Sequence, residues 1–405
     1  DIVDKELSVG LEHEFSFGED ISFTIGGFAQ NKDRSTDITT VRDRYNLTAA
    51  SRNYNQFGRN PGEFTRVFGA PAFTPGSLNT IEEDRRDVFG EIEGKSGGIT
   101  WVAGLRYENT DFTVNDLTVA PALAVQENDY SFLLPSASVK IEVGGGGRIT
   151  ASAARTNRRP RLDFLSPALL EAELGDNDLQ GNPALRPETA WGGDLGYEHR
   201  LGRTGVIGIN VFYRKVKDLI ELANTGAEGS EGPGTFVLQP QNTGDGEVYG
   251  IEFDLSTDLG FLGLPDTGIF GNVSLLDSEI ADFSGNRRFN GQSKYVYNAG
   301  FIQDIPSAGV AFGATYRKQG GAFDRMVGEE ITTTYGADLE VFVEKRFGNK
   351  LTIRAVGSNL LNGSKDEAFN KFTTIADQLT RSFDEYELES EEAGPVFQIM
   401  ARYAF

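Results

Sequence analysis

One pattern recurs from end to end of this chain and constrains its fold more than any other feature. Leu7, Val9, Leu11, His13 and Phe15 alternate with Ser8, Gly10, Glu12 and Glu14, and Ile99, Trp101, Ala103, Leu105 and Tyr107 alternate with Thr100, Val102, Gly104, Arg106 and Glu108. The same holds for Ile207, Ile209, Val211 and Tyr213, for Tyr249, Ile251, Phe253 and Leu255, and for Tyr335, Ala337, Leu339, Val341 and Val343. At the end, Phe397, Ile399, Ala401, Tyr403 and Phe405 oppose Gln398, Met400, Arg402 and Ala404. A period of two puts each set on one face of a strand. One face is always apolar, while the other carries charges and glycines in mid-strand, where the packed core of a soluble sandwich rarely tolerates them unpaired.

An apolar outside and a polar inside describe a transmembrane antiparallel β-barrel of the outer-membrane type. Tyr107, Tyr213, Tyr316 and Tyr403 fall near strand ends, where an aromatic girdle meets the headgroups. The mean hydropathy of -0.33 agrees, because such a strand gives only every second residue to lipid. The sequence holds no apolar run of the roughly 20 residues a spanning helix needs.

Composition removes several kinds of chemistry. With no cysteine there is neither a disulfide framework nor a thiolate site. Only His13 and His199 are imidazoles, and both lie on the apolar parity, so a histidine metal centre or serine triad is not expected and a wall or girdle position is. A net charge of -22 argues against nucleic acid as a partner. Part of that charge sits in Ser382 to Glu392, which reads as a solvated loop, with a site for a cationic ligand as the second reading. No catalytic residue, cofactor or metal ligand is assigned.

Strands are expected near residues 6–17, 20–31, 84–94, 98–111, 129–143, 147–156, 190–201, 204–217, 246–258, 267–279, 293–304, 308–318, 334–347, 350–361 and 394–405, about fifteen in all. Short turns alternate with long connections near 32–83, 112–128, 157–189, 218–245, 280–292, 319–333 and 362–393. Outer-membrane barrels have short periplasmic turns and long extracellular loops. Counting back from a periplasmic final strand, the strand at 6–17 starts at the extracellular face. The first residues also lack a positive segment followed by an apolar one, so an export signal is expected elsewhere.

Four passages carry a family likeness. Leu134-Pro135-Ser136-Ala137 leads to Ala154-Arg155-Thr156-Asn157-Arg158-Arg159-Pro160; Gly181-Asn182-Pro183-Ala184-Leu185-Arg186-Pro187-Glu188-Thr189 precedes Asp194-Leu195-Gly196-Tyr197-Glu198 and Phe212 to Ile220. Val248-Tyr249-Gly250-Ile251-Glu252 and Asn359-Leu360-Leu361-Asn362 follow. In this order, ending on Phe405, they resemble the C-terminal half of a TonB-dependent outer-membrane receptor. The resemblance implies a 22-stranded barrel closed by an N-terminal plug, coupling to TonB through that segment, and a Gram-negative outer membrane with its lipid bilayer and lipopolysaccharide as surroundings. Neither plug nor TonB box is recognisable in residues 1–405, so this chain is expected to supply the C-terminal barrel portion, with a plug-bearing segment or chain completing it.

The resemblance further implies that the terminal aromatic strand, Tyr403 and Phe405, is the signal read by the barrel-assembly machinery. It also implies import of a scarce ligand: siderophore, cobalamin, saccharide or peptide. A passive porin-like channel is the alternative, and no enzyme is expected. Pro183 and Pro187 read as restraints on a loop, and Gly250 as relief of crowding where a strand bends.

Three further motifs fail on spacing. Gly94-Lys95-Ser96 lacks the glycine spacing and helix of a phosphate loop and reads as a turn. Asp176-Asn177-Asp178 opens like a calcium loop, but Pro187 stands where the bidentate Glu belongs, so it reads as a loop turn. His13-Glu14 has no second histidine at the spacing of a zinc peptidase.

Overall fold

The computed structural model describes residues 1–42, 45–46, 65–66, 72–171, 176–202, 204–230, 232 and 234–404. Fifteen long strands form one antiparallel meander. They are β1 (Ile2–Phe17), β2 (Ile21–Arg42), β3 (Ala72–Ser96), β4 (Ile99–Asp116), β5 (Val125–Glu142), β6 (Gly147–Arg158), β7 (Glu188–Leu201) and β8 (Gly205–Glu228). Then come β9 (Phe236–Leu259), β10 (Leu264–Asp282), β11 (Tyr295–Ile305), β12 (Val310–Gln319), β13 (Asp338–Phe347), β14 (Leu351–Ser358) and β15 (Val396–Tyr403). Each pairs with the next, so the fifteen expected strands are the wall strands. Among the described residues β1 pairs only with β2, and β15 only with β14.

The parity read from the sequence is the parity of the sheet. Trp101, Ile209, Val341 and Ile399 are exposed on the outer face, and Ile251 lies between Val211 and Leu275 on the same side. On β4 the outward column runs Ile99, Trp101, Ala103, Leu105, Tyr107 and then turns polar at Asn109 and Asp111. That apolar stretch matches the roughly 9–11 residues of a tilted membrane strand. β8 changes at the same level, from Tyr213 to Lys215 and Lys217. Stacked Tyr297 and Tyr316, with ring centroids 5.9 Å apart, mark the border on β11 and β12.

The opposite face is knitted by polar side chains. Asn210 Nδ2 donates to Glu252 Oε2 at 3.3 Å, Arg106 Nε to Asp87 Oδ2 at 3.0 Å, and Ser358 Oγ to Glu340 Oε2 at 3.1 Å. Arg402 stands opposite Thr352 on this face. His13 packs edge-on to Phe15, and the His199 ring lies over Tyr197, both on the outer face beside tight turns.

All seven tight turns at one end of the sheet place a glycine at positive φ: Gly18, Gly97, Gly144, Gly202, Gly263, Gly309 and Gly348. Only glycine enters that region without a steric cost, which keeps this end compact. Gly94 is not in a turn. It sits in β3 under the indole of Trp101, where a Cβ would come within 2.3 Å of the ring. Gly250 likewise answers crowding, but not at a bend: β9 pairs with β10 without interruption there, and the Phe212 ring and Leu275 carbonyl fill the space of a side chain.

The other end departs from the expectation of long open loops. β2, β3, β4, β8, β9 and β10 continue well past the aromatic border as paired hairpins. A second, four-stranded sheet, Ala322–Met326, Glu329–Tyr335, Ser364–Lys371 and Glu385–Glu392, extends β12 to β15 in the same order. Asn359 and Asn362, both at positive φ, make the corner between β14 and its extension. Asn359 N–H donates to Asp338 Oδ1 at 3.0 Å, and its amide donates to the Gly394 carbonyl at 3.1 Å.

Candidate functional site

Residues 159–171 and 176–187, within the long connection expected near 157–189, fold against the inner face of the wall. The path starts at Arg159, whose guanidinium pairs with buried Glu83 of β3, and at Pro160, which is buried. The short helix Leu162–Leu165 brings Leu165 beneath Leu185, and both join Ile81, Phe112, Val114 and Ile220 in one apolar cluster. Gly181 passes so close to the Ser166 carbonyl that a Cβ would lie 1.9 Å from its oxygen. Asn182 locks the turn: its backbone N–H donates to the Phe164 carbonyl at 2.6 Å, its amide donates to the Pro240 carbonyl at 3.0 Å, and its Oδ1 accepts from Ala184 N–H at 3.0 Å.

Glu188 closes the segment. It takes two bonds from Arg158, at 2.6 and 2.8 Å, and accepts the Ile220 N–H at 2.6 Å. The Gly181 to Thr189 passage is therefore an anchor that fixes an inward segment between β6 and β7. Truncating Leu185, about 1% exposed, to alanine should cost about 2–5 kcal/mol locally. Hydrogen exchange of residues 159–187 is expected to accelerate while the lipid-facing strands stay protected.

Below this cluster lies a charged ladder. Arg85 Nη2 reaches Glu108 Oε2 and Asp87 Oδ2, each at 2.6 Å, and Asn157 Nδ2 donates to Glu108 Oε1 at 2.8 Å. Both carboxylates are buried and fully partnered, which low-dielectric surroundings require. A second cluster pins the β8–β9 hairpin. Arg287 Nη2 reaches Glu221 Oε2 at 2.6 Å, its Nε reaches Asp282 Oδ2 at 2.7 Å, and Asn290 N–H donates to Glu221 Oε1 at 2.9 Å.

The extension sheet turns an acidic face inward. Pairing registers put Asp324, Glu329, Glu367, Glu385, Glu387, Glu389 and Glu391 on one side with Lys365 and Lys371. That side meets the inward segment: Asn177 bonds to Glu329, and Lys371 Nζ lies 3.4 Å from Asp176, 3.3 Å from Glu387 and 3.7 Å from Glu385. The acidic stretch read as a solvated loop is thus largely a strand, Glu385–Glu392. Glutamate is a poor strand former, and its density masks the alternation of Glu385, Glu387, Glu389 and Glu391 with Tyr386, Leu388 and Ser390.

Asp176, Asn177 and Asp178 spend their oxygens on protein donors. Asn177 Oδ1 accepts the Phe236 N–H at 2.8 Å, and Asp178 accepts the Ser230 N–H at 2.6 Å and its hydroxyl at 2.9 Å. Asp178–Gln180 runs parallel to the start of β9 as an added strand. The passage expected as a loop turn is thus in part a short strand, Asp178–Gln180. Among the described residues no group of three or more His, Cys, Asp or Glu is placed to hold a metal ion.

Burial lowers the Lys371 pKa, but the Glu387 hydrogen bond and the charges of Glu385 and Asp176 outweigh it, so the net shift is upward. Stability from this contact is full below the ordinary lysine value of 10.5 and lost as pH rises through the higher folded value. Exchange protection of residues 176–180 should therefore hold at neutral pH and fall in strong alkali.

Of the two assembly residues, Tyr403 is exposed on the outer face opposite Leu351, and Phe405 lies outside the described residues. In the sequence Asn182, Leu185 and Glu188 stand out only through the family likeness. Their partners lie far away in the chain, and no local periodicity marks them.

A family model, TonB dependent receptor-like beta-barrel, matches residues 3–360. The chain belongs to this family. The TonB-dependent receptors are outer-membrane proteins of Gram-negative bacteria, and the all-β wall with no spanning helix among its described residues fits that setting. Three solved structures share the fold. The copper transporter OprC is 13% identical with a TM-score of 0.69, covering 100% of this chain and 57% of its own. The ferric-catecholate import receptor Fiu from K12 E. coli is 11% identical, with a TM-score of 0.63 over 100% and 55%. The ferric citrate transporter FecA is 13% identical, with a TM-score of 0.62 over 99% and 55%. This receptor chain thus spans little more than half the length of each. No curated protein matches the sequence.

Proposed function

We propose that this chain is the C-terminal wall of a TonB-dependent importer that captures a scarce ligand outside the cell and passes it inward with TonB-derived energy. The observation that carries the reading is the inner face: a polar lumen whose outer end is narrowed by residues 159–171 and 176–187, in a chain of this receptor family. The similar structures are named for copper, ferric-catecholate and ferric citrate transport, which supports metal complexes as the cargo class. The inward acidic sheet favours neutral or cationic complexes over polyanions.

Completion of the barrel belongs to the same proposal. The edges of β1 and β15 would leave unpaired backbone groups in lipid, at several kcal/mol each. About seven further strands and a plug, on sequence beyond these residues or on another chain, close the wall and contact TonB. Lipopolysaccharide surrounds the outer rim. A passive channel is the second reading, favoured by one observation: an inward segment also constricts a pore.

Uptake of labelled copper, a ferric catecholate and ferric citrate, measured in cells with and without TonB, separates the two. The importer reading expects accumulation of at least one probe only when both this protein and TonB are present. Accumulation that persists without TonB means a passive channel, and accumulation of none removes these complexes as cargo.

The terminal strand carries the assembly proposal. Deleting Phe405, or replacing it by alanine, is expected to lower the folded protein in the outer membrane several-fold with synthesis unchanged. Heat-modifiable mobility on gels reads this directly, and a normal folded yield would contradict it.

A further inference from the structure

One tight turn differs from its six counterparts. Between β9 and β10 the chain makes a single 3-10 turn, Gly260–Leu262, closed by Gly263 at φ 79°. Its tip carries Phe261, 76% exposed, and Leu262, 64% exposed, with Leu264 at 52% beside them. The other described turns at this end are built from residues such as Gly18-Glu19-Asp20, Gly97-Gly98, Pro306-Ser307-Ala308 and Gly348-Asn349-Lys350, and none places two large apolar side chains at its tip.

The polar groups of the turn face inward and are used. Gly260 N–H donates to Asp258 Oδ1 at 2.9 Å, Gly263 N–H to the Gly260 carbonyl at 3.0 Å, and the Thr204 hydroxyl donates to Asp258 Oδ2. A hydrogen-bonded frame therefore holds the apolar tip outward. That tip also continues the lipid-facing band. Registers Phe253 to Val273, Leu255 to Gly271, Thr257 to Ile269 and Leu259 to Leu264 carry an almost unbroken apolar column down the outer face to the turn. On the neighbouring strand the pairing of Thr267 with Gln303 sets Ile305 level with Pro265, extending the patch sideways.

We infer that the β9–β10 turn is a lipid foot: Phe261 and Leu262 insert into the headgroup and acyl boundary of the inner leaflet and fix the depth of this side of the wall. Continuity with the band decides for lipid, since only the uncharged Thr257, Thr267 and Gln303 interrupt the apolar surface on its way to the tip, and aromatic and leucine side chains gain from that boundary. The inference rests on the barrel reading of this chain.

The absence of cysteine gives a clean test. Single variants Leu262→Cys, Val211→Cys on the lipid face and Asn349→Cys at a polar turn are spin-labelled in the complete membrane protein. Each is reconstituted in phosphatidylethanolamine and phosphatidylglycerol vesicles, and collisions with oxygen and with a water-soluble nickel chelate are compared. The expected ratio of oxygen to nickel access at Leu262 is several-fold above that at Asn349 and near that at Val211. A ratio at Leu262 equal to that at Asn349 overturns the foot while leaving the barrel intact. A label shielded from both reagents means a protein covers the turn and also overturns it. Equal ratios at Val211 and Asn349 overturn the barrel reading and the foot together.

Discussion

Replacing Arg287 by methionine is expected to destabilise the part of the wall beyond the aromatic border by about 3–5 kcal/mol, the cost of leaving buried charge without its partner. Arg287 and Glu221 are 8% and 6% exposed at the side chain, and Asp282 is 13% exposed. The guanidinium grips Glu221 through Nη1 at 3.2 Å and Nη2 at 2.6 Å while its Nε holds Asp282. Without it, Glu221 keeps, among the described residues, only the Asn290 N–H and the Thr243 hydroxyl, too few donors for a desolvated carboxylate. Asp282 fares better, because the Ser284 N–H and hydroxyl remain at 2.7 and 2.9 Å. The double variant Arg287→Met, Glu221→Met should therefore recover most of the loss, as paired charges replaced by apolar groups often do. Hydrogen exchange over residues 219–245 and 280–292 measures both. Equal protection in the single variant and the native protein would show that the cluster does not hold the hairpin.

The second large effect separates two adjacent residues. Ile209→Arg puts a charge on the lipid face near the middle of the apolar stretch of β8, at a cost of roughly 2–4 kcal/mol at the bilayer midplane. Asn210→Arg puts the same charge on the lumen face, where Glu252 already bonds to Asn210 and can receive it. Folding into vesicles monitored against denaturant should show a marked loss for the first and little change for the second. The reverse order would mean that the faces are assigned backwards.

Strand order and facing were legible because lipid reads every second residue, so Ile207, Ile209, Val211 and Tyr213 declare a face without any tertiary information. The same code fails above the aromatic border. Beyond Tyr213 the outward residues are Lys215 and Lys217, the register then slips near Asp218 at φ 56°, and the strand nevertheless continues to Glu228. There both faces meet water or protein, so alternation carries no signal. Glu385–Glu392 failed for a different reason: its pairing to Ser364–Lys371 is plain in the structure, yet a glutamate at every second position, interleaved with Tyr386, Leu388 and Ser390, looks like a solvated run. The lumen segment was legible only as a likeness. What seats it is non-local, as with Glu188 reaching the Ile220 N–H and Arg159 reaching Glu83 across 76 positions.

The central claim is that these fifteen strands are one part of a larger receptor barrel, since among the described residues β1 and β15 each present an unpaired edge and the chain spans 57% of OprC and 55% of Fiu and FecA. Mass spectrometry of the native outer-membrane protein under denaturing conditions weighs that claim directly. The account predicts either a polypeptide well above the 44.2 kDa of this chain or a second polypeptide in fixed proportion to it. A membrane-inserted protein consisting of a lone 44.2 kDa chain would contradict it.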